Sequence, residues 1–410
     1  MTINFNKLIT GLFILLPPAI ISGPFLADLF LSLIAIYFII VSLKKKLWDY
    51  YKNYFFIIFI SFYLYIVCNS IFSIDPILSL SGTLFYFRFI FFSLAIAFLI
   101  NKNKNVLKFF FISLILSILV LSIDGHLQFF LGENIFGWVS DDNRIAGLFK
   151  DEYILGNFIS RMLPIIVALL FLNNTLSKKN RILIFLILVI ASSTVILSGD
   201  RIGIFNLILS SIIILFCTKK YFVYKVVSLI CLVSLIISFL AFSPSVKTRI
   251  IDTSLEGIEL SEQKFIIGNY THYSFYTKAY MMFAEKPIFG HGPKIYRKLC
   301  NEERFKHDGW NYCSTHPHNT LMQLLAETGV IGTIPYLIIL VFFLYKFFRK
   351  FVSNLSSKYN YHISDYEICL MTAIILSILP IAPSMNLFGN TISVIYYLPV
   401  GIYLSLKTFK

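Results

Sequence analysis

Two histidines flank a proline in Thr315-His316-Pro317-His318-Asn319-Thr320, and an apolar stretch begins directly after them. Imidazole titrates closest to neutrality of all side chains, so it serves as base or acid where a reaction moves a proton. Three arginines, Arg88, Arg161 and Arg201, lie in or beside other apolar stretches. An intramembrane guanidinium is costly and points to function unless it snorkels to headgroups. Arginine stays charged and grips phosphate oxygens with two N–H groups at once. Arg144 and Lys150 stand ahead of the Arg161 stretch, where they either hold phosphate or glycan or face water.

The elements that must position these groups are set by composition. Apolar residues make up 58% of the 410-residue chain, charged residues 14%, and mean hydropathy is +0.79. Long apolar runs read as membrane spans. Twelve are expected, near 8–22, 24–43, 54–72, 80–100, 106–124, 153–172, 181–198, 202–217, 222–242, 320–346, 366–385 and 389–407. The first two are split by Pro17, Pro18, Gly23 and Pro24. The fold class is thus an all-α integral membrane protein. Met1–Ser42 has no small-residue cleavage site after a short apolar core, so no cleavable signal peptide is expected.

The net charge of +14 does not signal nucleic acid, because of where the charges lie. With the N-terminus inside, twenty of the 35 Lys and Arg fall in cytoplasmic segments, and ten more in one long outer loop. The short outer connections are nearly free of them. This positive-inside pattern puts both termini in the cytoplasm. Residues 1–242 then hold nine spans, 243–318 form a large outer loop, and 319–410 hold three spans. A loop of that length is functional or disordered. Its many aromatics, Tyr270, Trp310 and Tyr312 among them, favour order; they either stack on sugars or pack at the interface.

Of six cysteines, only Cys300 and Cys313 fall in this loop. A disulfide there suits an oxidising compartment and would contribute roughly 3 kcal/mol. The alternatives are two free thiols, or a zinc site with His307, His316 or His318, whose spacing matches no standard cluster. In the histidine turn, Pro317 fits the first turn of a helix capped by Thr315 or His316. That helix, 318–328, would end at Gly329, with Glu327 near its end. The positive end of the dipole would then keep His318 neutral, as a base must be. The plainer reading is that His316 caps and Asn319 satisfies backbone donors.

His318-Asn319, nine residues, then Gly329-x-x-Gly332 resembles the signature of the O-antigen ligase and polymerase superfamily, polytopic bacterial membrane glycosyltransferases. Ser198-Gly199-Asp200-Arg201 is similar to the family's Ser-Gly-x-Arg. Arg144-Ile145-Ala146-Gly147-Leu148-Phe149 is similar to its Arg-x-x-Gly-x-Phe, and Pro287-Ile288-Phe289-Gly290-His291-Gly292 to its Pro-x-x-Gly-x-Gly. The ordered motifs run over roughly 140–335. One departure stands out: His272 occupies a loop position where the family often has Arg.

The resemblance implies transfer of a glycan from an undecaprenyl-pyrophosphate carrier to an acceptor hydroxyl, on lipid A-core or a similar acceptor, at the periplasmic face of the inner membrane. It implies His318 and Arg201 as catalytic, and Arg144, His272 and Asn319 as substrate-binding; Arg88 and Arg161 join the substrate-binding set only through the cost of placing them in the membrane. Cys300, Cys313, Gly329 and Gly332 would be structural. Neither metal nor cofactor is implied; the usual Asp-x-Asp is absent, with Asp141-Asp142 an adjacent pair instead. Membrane lipids are the other expected partners. A polymerase joining lipid-linked repeat units is the rival within the family. A transporter of anionic lipid-linked substrates is the rival outside it, although such a protein has no need of a histidine-bearing outer loop.

Overall fold

The computed structural model describes residues 2–140, 144–172, 177–252, 270–306, 312–355 and 361–406. The described residues are helical, with one isolated bridge between Glu133 and Val139 and no strand. Asp141, Asp142, His307 and Trp310 lie outside the described residues.

Among the described residues, eight helices are long and apolar enough to cross a membrane: Pro24–Lys44, Tyr54–Ile71, Pro76–Lys102, Asn105–Leu131, Leu155–Leu172, Lys179–Leu197, Phe222–Phe242 and Thr320–Leu355. Four other expected spans are shorter in the structure. The first is broken into Thr2–Ile14 and Leu16–Ile21, with Pro17 in the first turn of the second piece. Arg201–Cys217 has 17 residues. Asp365–Ile378 has 14 and stops before Pro380 and Pro383, which cannot continue the backbone ladder. Asn390–Leu404 has 15.

The chain forms two compact units. The first comprises Met1–Phe30, Leu99–Thr253 and Phe343–Ser377. Its centre is Leu155–Leu172, buried on nearly every face and packed against Arg201–Cys217 and Lys178–Leu197. A helix this apolar all round belongs in an interior.

The second unit comprises Leu31–Phe98, Ser254–Phe342 and Ile378–Lys410. Its described residues 270–305 are folded rather than a loose connector. Ala279 and Met282 of Tyr270–Glu285 close a core with Ile295, Tyr296, Leu299, Cys300, Phe305 and Ala326. Cys300 and Cys313 form a disulfide across this core, with Cα atoms 5.5 Å apart. Both sulfurs are therefore unavailable to a zinc ion. Lys278, fully buried, donates to the Cys300 carbonyl at 2.7 Å.

Thr320–Leu355 is two helices joined at Gly329, whose φ of 62° and ψ of −168° are open only to glycine. The break frees backbone groups, and the loop over 286–293 takes them up. His291 N–H donates to Ala326 O at 3.1 Å and Gly292 N–H to Glu327 O at 2.7 Å. In return Val330 N–H donates to Pro287 O at 2.9 Å. Phe289 O and Thr328 O accept from Asn69 and Tyr65 of Tyr54–Ile71, at 2.7 and 2.6 Å. No side chain fits at this crossing. A Cβ on Gly329 would stand 2.3 Å from Ile288 O, and one on Gly290 2.5 Å from Glu327 C.

Candidate functional site

In the second unit, the histidine turn is not the first turn of a helix. His318 has a φ of 53° and the helix starts at Thr320. Asn319 is the cap, its Oδ1 accepting from Met322 N–H at 3.1 Å while its Nδ2 donates to Pro380 O at 2.6 Å. The expected caps, Thr315 and His316, are occupied elsewhere. Thr315 Oγ1 lies 3.1 Å from His316 Nδ1, and His316 Nε2 lies 3.4 Å from Ser384 O. A carbonyl only accepts, so His316 carries its proton on Nε2 and takes the Thr315 hydroxyl on Nδ1. Ser384 N–H also donates to His318 O at 2.8 Å, which fixes the left-handed residue.

The His318 ring sits in an aromatic enclosure. His316 is 4.1 Å away by centroids, Phe275 is stacked at 5.3 Å, and His272 is at 5.8 Å. His272 in turn stacks on Tyr276 at 6.0 Å. The histidine that stands where the family often has Arg is thus brought against His318. Ser314 Oγ is 3.0 Å from His318 Nε2. Burial lowers the His318 pKa below the ordinary imidazole value. The neutral form is favoured as anticipated from the sequence, but desolvation is the cause, not the helix end. His316 is held down to about 3, first by burial, then by the nearby His318.

Two groups beside this turn, Ser314 and Arg297, carry no signal in the sequence, and a third, Glu327, is legible there only as a residue near a helix end. Ser314 stands four residues before its partner. Arg297, with its Nε buried and without a hydrogen-bond partner, adds positive potential at His316. Glu327, fully buried, accepts from Gln323 Nε2 at 3.0 Å and from Tyr296 N–H at 3.2 Å. Its work is to hold the 286–299 segment against the helix rather than only to end it.

The first unit gathers arginines. Asp200, buried, caps Arg201–Cys217 by accepting from Ile202 and Gly203 N–H at 3.0 and 3.2 Å. Its second oxygen accepts from Asn157 N–H at 2.9 Å. Arg201 is therefore fixed at the first helical position. The segment from Arg144 to Gly147 is pinned by Gln128, whose Oε1 accepts from Ala146 and Gly147 N–H at 3.0 and 2.7 Å. Arg144 donates to Tyr153 O at 3.0 Å and lies over the Tyr153 ring at 4.5 Å. Its pKa is lowered by burial and then by the charges of Arg249 and Arg201, against the pull of Asp200. Three guanidiniums thus share one region, and Arg249 was not singled out by any motif.

Arg161 and Arg88 are placed differently. Arg161, 3% exposed, donates to Asn157 Oδ1 at 2.7 Å and to Leu376 O at 2.8 Å. That carbonyl belongs to the last turn of Asp365–Ile378, where helix carbonyls lack partners. Burial there is met by internal acceptors, not by snorkelling. Arg88 donates to Ser32 Oγ at 3.0 Å and lies 5.2 Å from the Phe89 ring centroid.

Residues 186–337 match the family model described as O-Antigen ligase. This stretch is similar to the O-antigen ligase family. It contains Arg201, Arg249, His272, both disulfide cysteines, His318, Asn319, Gly329 and Gly332, whereas Arg88, Arg144 and Arg161 precede it. A curated protein of Rickettsia felis, named "Putative polysaccharide ligase", is 33% identical over 86 residues, 20% of each chain. One of the same name from Rickettsia conorii is 36% identical over 78 residues, 18% of each chain. The chain thus spans about a fifth of the length of the curated relatives it matches. With its apolar helices, this is a multi-pass membrane protein with a segment similar to the O-antigen ligase family.

Proposed function

We propose that the protein transfers a glycan from an undecaprenyl-pyrophosphate carrier to an acceptor hydroxyl, lipid A-core or similar, at the periplasmic face of the bacterial inner membrane. The observation that carries this reading is the His318 enclosure: a desolvated imidazole, kept neutral, at the head of the family's signature helix. In this reading the Ser314 hydroxyl, 3.0 Å from Nε2, takes the Nε2–H tautomer as its donor, so Nδ1 keeps the lone pair. That nitrogen takes the acceptor O–H proton as the oxygen attacks the anomeric carbon. The bond from that carbon to the pyrophosphate oxygen breaks in the same step, so the sugar inverts. The lipid pyrophosphate departs as an anion, with Arg201, Arg144 and Arg249 supplying positive charge for it. His272 helps to orient the acceptor beside His318. The imidazolium then returns its proton to water. The reading needs no metal.

Purified protein, a lipid-linked glycan and a panel of acceptors test this. Transfer by the wild type, its loss in His318→Ala and Arg201→Gln, and persistence in chelator are the expected results. Full activity of His318→Ala ends the base assignment, and strict dependence on added divalent metal ends the arginine-only scheme. The polymerase reading uses the same groups, and growth of the lipid-linked glycan itself in place of transfer to lipid A-core would select it.

A further inference from the structure

Within the first unit, a groove of about 180 Å³ opens among four helices. Its walls are apolar, with Leu163, Phe185, Leu188 and Leu232 among them. Arg181, Tyr221 and Lys225 gather at one end. Arg181 lies 5.9 Å from the Tyr221 ring centroid, and its Nε is buried without a hydrogen-bond partner. Lys225 is differently placed, donating to Thr218 O and Oγ1, both at 2.7 Å. The cation left to meet a ligand is therefore Arg181. On one wall the lining runs from Lys225 to Leu235, and on another from Arg181 to Ser192. Each is about 15 Å of helical rise, which is the depth of one leaflet of hydrocarbon. Phe222–Phe242 presents most of its remaining surface outward, so the groove is open to lipid along its side.

We propose that this groove holds one acyl chain of an anionic phospholipid from the cytoplasmic leaflet, with its phosphate against Arg181. Charge complementarity selects an anionic head. Leaflet depth selects an ordinary acyl chain over a long polyprenyl tail. The choice of leaflet rests on the topology of the proposed function, in which Lys178, Lys179, Arg181, Lys219 and Lys220 lie on the cytoplasmic side. The donor's pyrophosphate reacts at the other face, so this is not the donor site.

The test reconstitutes the full chain in phosphatidylcholine vesicles with and without phosphatidylglycerol, then re-extracts it for native mass spectrometry. Wild type retains phosphatidylglycerol. Arg181→Gln retains about fivefold less, the loss expected for one cation beside an anionic headgroup. Leu232→Trp, which fills the groove and keeps the charge, also loses the lipid, while Lys45→Gln on an exposed turn does not. Equal retention by wild type and Arg181→Gln overturns the proposal. So does capture of phosphatidylcholine in equal measure, or of a polyprenyl phosphate in preference when both are supplied. Labelling of Arg181→Cys by an impermeant thiol reagent from the outer face would overturn the leaflet. Glycan transfer is scored separately, so loss of lipid retention and loss of the proposed activity are distinguishable.

Discussion

At the scale of single residues, the informative contrast is between two histidines 4.1 Å apart. His316 is bonded at both ring nitrogens, so it is built in. The His318 ring meets Ser314 and lies in an aromatic enclosure. Removing a general base costs about 10²–10⁴-fold in rate. His318→Ala should lose that much in turnover while donor binding, measured by tryptophan quenching or calorimetry, is kept. Because burial lowers the His318 pKa, the base stays unprotonated through neutral pH. The acid limb of the transfer profile should fall below the ordinary imidazole value of about 6.5; a limb above 7 would remove His318 from the role.

His316 makes a second, structural prediction. Its folded pKa is about 3, so between that value and about 6.5 the unfolded chain binds a proton that the folded chain refuses. Stability is therefore full above pH 6.5 and declines as pH falls, by up to about 1.4 kcal/mol per unit from this group. Melting temperatures of wild type and His316→Gln across pH 4–7 should converge toward acid. Parallel curves would show that His316 is charged in the fold. Residue spacing could find His318, because a polar turn ahead of an apolar run is visible in one dimension. It also anticipated that Asn319 satisfies backbone donors, but not its bond to Pro380 or that of Arg161 to Leu376, which lie far away in sequence.

At the scale of elements, the family's glycines describe one joint. Gly329 was legible as a helix end, but the reason for it was not: the 286–293 loop docks backbone to backbone on the break. A Cβ at Gly329 meets Ile288 O at 2.3 Å and also forces a glycine-only conformation. Strain of that kind costs about 1–3 kcal/mol before the clash is added. Gly329→Ala should therefore lower the melting temperature sharply and weaken transfer, and Gly290→Ala should do the same through Glu327. A near-neutral Gly329→Ala would mean that the joint moves. The disulfide is a separate brace on the same fold. Closing a span of 13 residues is worth about 3 kcal/mol. Cys300→Ala/Cys313→Ala should melt lower than wild type, and reductant should lower wild type only.

At the scale of the whole molecule, each of the twelve apolar runs has its helix, although among the described residues eight reach spanning length. The other four are the broken N-terminal pair, Arg201–Cys217, Asp365–Ile378 and Asn390–Leu404. The shortfall has a physical origin. Arg201–Cys217 rises about 25 Å and Asp365–Ile378 about 21 Å, against a hydrocarbon core of about 30 Å. Hydropathy counts apolar residues but does not see where Asp200 starts one helix or Pro380 stops another. Short helices cross by thinning the bilayer or by lying against other helices. Parity gives a test. With both termini inside, eight or twelve crossings are both even, so the termini alone do not discriminate; the segments between the short helices do. If Arg201–Cys217 crosses, Lys220 and Glu303 stand on opposite faces, one crossing of Phe222–Phe242 apart, and Ser198 stands on the face of Glu303. Single cysteines at Lys220, Ser198 and Glu303, in a background lacking Cys68, Cys217, Cys231 and Cys369, should react with an impermeant reagent accordingly. Glu303→Cys and Ser198→Cys would label in intact cells and Lys220→Cys only after permeabilisation. Labelling of Ser198→Cys together with Lys220→Cys would show that Arg201–Cys217 does not cross. It would also put Arg201 on the wrong face to meet a pyrophosphate outside.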